Sequence, residues 1–255
     1  SDHITGYQMA TSKLAIVTGV SLPQGIGRSI VHKFLSSGFK VGGIDHTDVV
    51  DSDDLQSDIN GNRFAFAKAD ISSTESVETA IRNILTALSS EHIHVLVNNA
   101  AISDPTLTAT TASERVASWR RCIDVNLTGA FIVSEICLPY MINDSSVIHI
   151  SSTRARQSEP NCEAYAASKA GLCGLTHAMA TSLSSQRVRV NCVLPGWIDT
   201  GGYPISDADN MWHSVGRVGL PKDVAELCSF LAESERSGFI TGQEFVVDGG
   251  VSTKM

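Results

Sequence analysis

Tyr165 and Lys169 stand four residues apart in Tyr-Ala-Ala-Ser-Lys. On a helix, that spacing sets both side chains on one face. A free phenol titrates near pH 10, roughly, too high for proton exchange at neutral pH. A neighbouring ammonium favours the phenolate, so the pair has the makings of a general acid–base near pH 7. Ser152 lies thirteen residues earlier, just past the apolar run Ser146–Ser151, which reads as a strand. A hydroxyl at the carboxyl end of such a strand faces the crevice of an α/β sheet, where it can hydrogen-bond a substrate oxygen. A Tyr-x-x-x-Lys pair by itself arises by chance on many surface helices; the three residues together are harder to obtain by accident.

A second group sits near the N-terminus. The run Thr18-Gly19-Val20-Ser21-Leu22-Pro23-Gln24-Gly25-Ile26-Gly27 joins an apolar strand to a helical stretch. Glycines at a strand-to-helix turn let the backbone approach a diphosphate, and the helix start offers free N–H groups and a positive dipole end. The next strand ends in Asp45, where a dinucleotide-binding unit places an acid against the adenosine ribose. A carboxylate there accepts from both ribose hydroxyls and repels a 2′-phosphate, which selects NAD over NADP. Neither Gln24 nor His46 is a permanent cation that would restore NADP. Read alone, Asp45 is also compatible with a helix cap or a turn residue.

The elements that must carry these groups alternate along the chain. Leu14–Thr18, Lys40–Asp45, Arg63–Lys68, His94–Asn98, Ser146–Ser151, Arg187–Leu194 and Glu244–Val247 read as strands. Several are apolar almost throughout, as strands covered on both faces are. Gly25–Ser37, Thr74–Ser90, Ser113–Ile142, Ala164–Ser184 and Pro221–Leu231 read as helices. The alternation predicts one doubly wound, Rossmann-type parallel sheet of seven strands, with helices on both faces. No repeat or linker divides the chain, so residues 13–255 are expected to form one domain and residues 1–12 a leader, with Met9 a candidate start. The stretch 201–219 breaks the alternation late in the chain, where a substrate lid belongs.

Composition narrows the function classes. A net charge of −8 opposes nucleic-acid binding. No apolar run is read as reaching the roughly 18 residues a membrane span needs, and no basic flank leads into an apolar N-terminal stretch. The six cysteines show no C-x-x-C spacing and the eight histidines no H-E-x-x-H pair, so a reduced, cytoplasmic chain without a metal is expected.

The ordered set of motifs resembles the classical short-chain dehydrogenases/reductases from about Lys13 to Val251. It comprises the glycine turn, Asp45, Asp70 in Ala-Asp-Ile, Asn98-Asn99-Ala100-Ala101 and Asn126 in Asp-Val-Asn-Leu-Thr-Gly. Ser152, Tyr165, Lys169, Pro195-Gly196-Trp197-Ile198-Asp199-Thr200 and Asp248-Gly249-Gly250 complete it. The resemblance implies an NAD-dependent oxidoreductase that interconverts a secondary alcohol and a ketone. In it Tyr165 exchanges the proton, Ser152 polarises the substrate oxygen, and Lys169 binds the nicotinamide ribose and lowers the Tyr165 pKa. Asn126 interrupts its helix and holds a water in a relay to Lys169. Gly19, Gln24, Gly25, Ile26 and Gly27 cradle the diphosphate, Asp70 and Ile71 border the adenine, and Asn98 and Ala100 line the middle of the cofactor. Pro195, Gly196, Ile198 and Thr200 hold the carboxamide end. Singly, Asn126 reads as a helix irregularity, Thr200 as a cap and Asn98 as a turn former. Two departures stand out: five residues, Val20–Gln24, separate the first two glycines where the family has three, and Ala101 replaces the usual glycine.

Substrate is the least legible feature. Arg154 and Trp197 are expected to border it. An arginine suits a carboxylate, pointing to a small oxo or hydroxy acid, while a sugar or polyol fits as well. The small residues Ala166, Ala167, Ala170, Gly171 and Gly174 permit close helix packing across a two-fold axis. With the family's habits, they imply a homotetramer, with a dimer left open. The alternatives are an NADP-dependent carbonyl or 3-oxoacyl reductase on the same fold, and a dinucleotide-binding regulator without chemistry.

Overall fold

The computed structural model describes residues 12–49, 52–103 and 109–254, so the expected leader lies outside it except for its last residue. Seven strands form one parallel sheet: β1 (Leu14–Thr18), β2 (Lys40–Asp45), β3 (Phe64–Lys68), β4 (Ile93–Asn98), β5 (Met141–Ile150), β6 (Arg189–Pro195) and β7 (Glu244–Val247). They lie side by side in the order β3-β2-β1-β4-β5-β6-β7. The chain first winds outward from β1 to β3, then crosses back to β4 on the other side of β1. That reversal opens a crevice at the carboxyl ends of β1 and β4.

The strands read as apolar because both sheet faces are covered. Leu14 and Ile16 of β1 are fully buried in one core, and Ala15 and Val17 in the other. The first core is roofed by α3 (Thr74–Ala87), α5 (Gly129–Cys137) and α6 (Glu163–Ser182), and the second by α1 (Ile26–Ser36) and α8 (Pro221–Ala232). Short helices α2 (Gln56–Asn60), α7 (Asp207–Trp212) and α9 (Ser234–Ser237) were not legible in the apolar pattern.

The expected helix Ser113–Ile142 is divided in the structure. It consists of α4 (Ala112–Ile123), a π-helical turn (Asp124–Thr128), α5 and a short 3-10 turn at Leu138–Tyr140. The strand then begins at Met141, five residues earlier than the apolar run Ser146–Ser151 suggests, because the first part of β5 is exposed and carries polar residues. The continuous helical run Ala112–Tyr140 is long and apolar enough by composition to cross a membrane, with a mean hydropathy of 1.4 in its most apolar window. Part of its apolar side is buried inside the molecule, where α4 packs on α6 and α5 on α3, while Val116, Trp119 and Phe131 stay exposed.

The stretch 201–219 contains α7, started by a reciprocal cap between Ser206 and Asp209. It returns to the sheet's end through a bridge between Ile198 and Gly219. Tyr203, Met211 and Trp212 on it are exposed.

Candidate active site

A cleft of about 620 Å³ runs along the carboxyl ends of the strands, with Asp45 and Asp70 at one end and Ser152, Tyr165 and Lys169 at the other. Its middle is the junction of two loops. Thr18 ends β1, and its hydroxyl accepts hydrogen bonds from the backbone N–H groups of Asn99 and Ala100, each at 3.0 Å. The Asn99 amide donates to the carbonyls of Thr18 (2.9 Å) and Gly19 (3.0 Å). The glycines are needed for this closeness. Gly19 has φ +76°, and a Cβ on Gly27 would stand 2.1 Å from the Gly19 carbonyl oxygen.

Asp45 closes β2. Its Oδ2 accepts from the Ser21 N–H at 2.9 Å, and its Oδ1 lies 3.0 Å from His46 Nδ1 and 3.3 Å from the Thr47 N–H. Burial alone would raise its pKa, but the backbone hydrogen bonds from Ser21 and Thr47 outweigh it and hold the carboxyl below its ordinary value. The group is therefore an ionised acceptor at neutral pH. Asp70 and Ile71 line the same end, with the Arg121 guanidinium 3.8 Å from Asp70.

At the other end, Ser152 follows β5, and α6 carries Tyr165 and Lys169. Lys169 is 2 % exposed; its Nζ donates to the Ile150 carbonyl at 2.8 Å and sits 5.4 Å from the centre of the Tyr165 ring. Burial pushes this ammonium down to about 8. Burial likewise raises the Tyr165 phenol above its ordinary value, opposed by a hydrogen bond with Ser152. The expectation that Lys169 draws Tyr165 below that value is thus not met by the protein groups alone. Nζ is engaged by Ile150 beside the ring, and desolvation of the phenol is the larger effect.

Several other expectations are corrected by side-chain direction. Asn98 does not line the cleft: it is buried, and its amide donates to Ser134 Oγ (3.0 Å) and meets His149 Nδ1 (3.2 Å). Consecutive residues at a strand end point opposite ways, so Asn99 faces the cleft instead. Gln24 is absent from the lining because its side chain reaches over to Gly201. Gly27 is a packing position against Gly19 and not a lining residue. Asn126 lies beneath the cleft, 1 % exposed. Its amide grips both backbone groups of Ile102, at 2.8 and 3.0 Å, and donates to Ser168 Oγ at 3.1 Å. Gly19, Gly25, Ile26, Ala100, Pro195, Gly196, Ile198 and Thr200 all line the cleft as expected.

A smaller cavity of about 160 Å³ adjoins it, sharing Ser152 and Gly196. Arg154 and Trp197 are both on its wall, with Trp212 and His213 from the stretch 201–219, and Asp248, which sequence reasoning did not place at a pocket. Arg154 is paired there with Glu159 at 2.8 Å. Sequence reasoning also missed Thr18, Ser21 and Asn99. Thr18 and Ser21 had a signal in the glycine-turn run and Asn99 in the run Asn98-Asn99-Ala100-Ala101.

A glycine-turn crevice with an acid at one end and a Ser-Tyr-Lys group at the other defines a Rossmann-type dinucleotide-dependent oxidoreductase site. The comparisons place the chain more closely. A family model described as enoyl-(acyl carrier protein) reductase matches residues 19–252. An uncharacterised oxidoreductase of Thermotoga maritima is 40% identical, over 97% of this chain and 98% of its own. A 3-oxoacyl-[acyl-carrier-protein] reductase of Chlamydia trachomatis is 34% identical, over 96% and 99%. The ligand-free aldohexose dehydrogenase of Thermoplasma acidophilum superposes with a TM-score of 0.80 at 33% identity, covering 96% and 95%. The chain belongs to the short-chain dehydrogenase/reductase family, whose members bind a nicotinamide dinucleotide.

Proposed function

We propose that this protein is an NAD(H)-dependent dehydrogenase that interconverts a secondary alcohol and a ketone on a small polar oxo or hydroxy compound. The observation that carries the cofactor choice is Asp45. Its side chain is 11% exposed, ionised, and fixed at the adenosine end of the cleft by Ser21 and Thr47. A fixed carboxylate accepts ribose hydroxyls and repels a 2′-phosphate. The cleft suits such a cofactor: Gly19 and Gly25 leave its glycine-turn wall without side chains, and Asp45 and Asp70 stand at the far end. When bound, the cofactor supplies hydride exchange at carbon. The chain's own share is to position the substrate oxygen at Ser152, move a proton at the Tyr165 hydroxyl, and place the Lys169 ammonium beside both. Asn126 supports this end by clamping the Ile102 loop, and Ile198 and Thr200 wall the cleft beyond Gly196.

Titration with NADH and NADPH, followed by fluorescence, tests the cofactor reading, and a screen of hydroxy acids, polyols and secondary alcohols with NAD tests the substrate class. Asp45→Ala is expected to lower the NAD-over-NADP ratio of kcat/KM by tenfold or more; an unchanged ratio refutes Asp45 as the gate. The Chlamydia relative favours a second reading, an NADPH-dependent 3-oxoacyl reductase. Asp45 opposes it, and so does the small adjoining cavity. Tight NADPH binding with turnover of 3-oxoacyl thioesters would establish it in place of the first.

The assembly proposed is a homotetramer. Exposed apolar side chains on α4 and α5, namely Val116, Trp119 and Phe131, give it surface to bury. Light scattering on the eluting protein is expected to read about four times the 27.2 kDa chain mass. A reading of one chain mass defeats the proposal.

A further inference from the structure

The lengthened glycine turn is held from behind by a residue outside the cleft. Arg28, in the first turn of α1, is 0% exposed and the largest fully buried side chain among the described residues. Its Nε donates to the Val20 carbonyl at 3.0 Å and its Nη2 to the Ser21 carbonyl at 3.0 Å. Its Nη1 meets both carboxylate oxygens of Asp54, at 2.8 and 3.0 Å. Asp54 follows β2 in the turn Ser52–Leu55, and its Oδ2 is also 2.7 Å from His32 Nε2. So one guanidinium ties helix α1, the lengthened turn and the segment after β2 together.

The first of these bonds reaches the cofactor acid by elementary geometry. The Val20 carbonyl and the Ser21 N–H belong to one peptide unit. No described peptide is cis, and in a planar trans peptide the two groups point in opposite directions. Fixing the carbonyl on Arg28 therefore aims the N–H the other way, and that N–H donates to Asp45 Oδ2 at 2.9 Å. On its other side the Ser21 hydroxyl donates to the Thr47 carbonyl at 2.9 Å. Without Arg28, a loop of five residues between glycines has no element of secondary structure to hold that plane. A lysine cannot replace it, because an ammonium lacks the planar fork that takes two carbonyls and a carboxylate at once.

We propose that Arg28, anchored by Asp54, is a positioning residue for cofactor choice: it fixes the Val20–Ser21 peptide so that the Ser21 N–H holds the Asp45 carboxylate against the adenosine ribose. This rests on the reading of Asp45 as the acid that selects the dinucleotide. The lengthened turn is then a specificity device and not a tolerated irregularity. Its added residues lead the chain out to Arg28 and back to the diphosphate crevice.

The test is a double-mutant cycle on Arg28→Met and Asp45→Ala, read as dissociation constants of NADH and NADPH by fluorescence and as kcat at saturating cofactor. Arg28→Met is expected to weaken NADH binding tenfold or more, to lower the NADH-over-NADPH affinity ratio by a similar factor, and to leave kcat at saturation within twofold. In the Asp45→Ala background the same change is expected to move that ratio by less than twofold, because Arg28 acts through Asp45. Asp54→Asn, at a partly exposed position, is expected to shift the ratio in the same direction by less, and carries the test if Arg28→Met does not fold. An unchanged ratio in folded variants overturns the proposal, and so does an equal shift with and without Asp45, which marks Arg28 as a structural residue only. A wild-type preference for NADPH removes the reading of Asp45 as a gate against phosphate. The Arg28–Asp45 coupling is judged separately, by whether the two changes are additive.

Discussion

In the proposed reaction Tyr165 loses and regains a proton near neutral pH, yet desolvation holds its phenol above the ordinary value. Two groups oppose that burial. Ser152 hydrogen-bonds the oxygen, and the Arg154 guanidinium favours negative charge on it. Tyr165→Phe keeps the ring and removes the proton. It is expected to cut kcat by a factor on the order of 1,000, the size of a general acid–base contribution. NADH affinity should stay within twofold by fluorescence titration, since the phenyl ring still walls the cleft. Full turnover in this variant would remove Tyr165 from the chemistry.

Among the elements, the π-helical turn Asp124–Thr128 does the most positioning for its size. One extra residue in a helical turn rotates the rest of the helix about its axis, and here it brings the Asn126 amide under the Ile102 loop instead of around the helix surface. Asn126→Ala removes these partners from the half-buried Ile102 N–H and carbonyl, which water at the cleft can partly replace, so each lost bond costs about 0.5–1.5 kcal/mol. A fall of about 1–3 kcal/mol in urea-unfolding stability is expected on that basis, with turnover reduced more than NADH affinity. A variant as stable as wild type would show that the loop is held by other contacts. Sequence patterning reached only part of this element. The apolar run Ser113–Ile142 gave away a helix, and Asn126 an interruption, because periodicity and residue type are local. The interruption's geometry depends on an Ile102 loop that pairs with it across 24 residues, which no local pattern encodes. The same limit explains the two asparagines after β4: identical neighbours give no pattern to say which faces the cleft, and only the phase of the strand decides for Asn99. Conversely, Asp45, Ser152, Tyr165 and Lys169 were legible because each sits at a strand end or on one helix face, where topology alone fixes direction. Arg28 was not, since its partners lie in an irregular turn.

Across the whole molecule, desolvated titratable groups beside the sheet and in its two cores shape how stability varies with pH. His149 lies fully buried in β5 between Asn98 and the region of Lys169, and burial holds its pKa at about 4, against 6.5 when unfolded. The unfolded chain therefore takes up a proton that the folded one refuses. Stability contributed by neutral His149 is complete above pH 6.5 and falls away as the pH drops toward 4, by about 3 kcal/mol in all. Lys169 works in the same sense on the alkaline side: its folded value of about 8 lies below 10.5, so its burial is most costly below pH 8 and eases as the pH rises toward 10.5. The thiols of Cys137 and Cys228 oppose it. Burial raises both, Cys228 to about 12, so above pH 9 the unfolded chain sheds protons that the folded one retains, and stability falls. With Tyr165 raised as well, these losses outnumber the gain from the single lysine. Urea unfolding across pH 4–11 is therefore expected to show stability rising from pH 4 to 6.5 and reaching its maximum near pH 8 to 9, then falling. His149→Leu should flatten the acid limb alone, and Cys228→Ala should soften the alkaline limb alone. An acid limb of unchanged slope in His149→Leu would assign that limb to the carboxylates at the surface and remove the buried histidine from the balance.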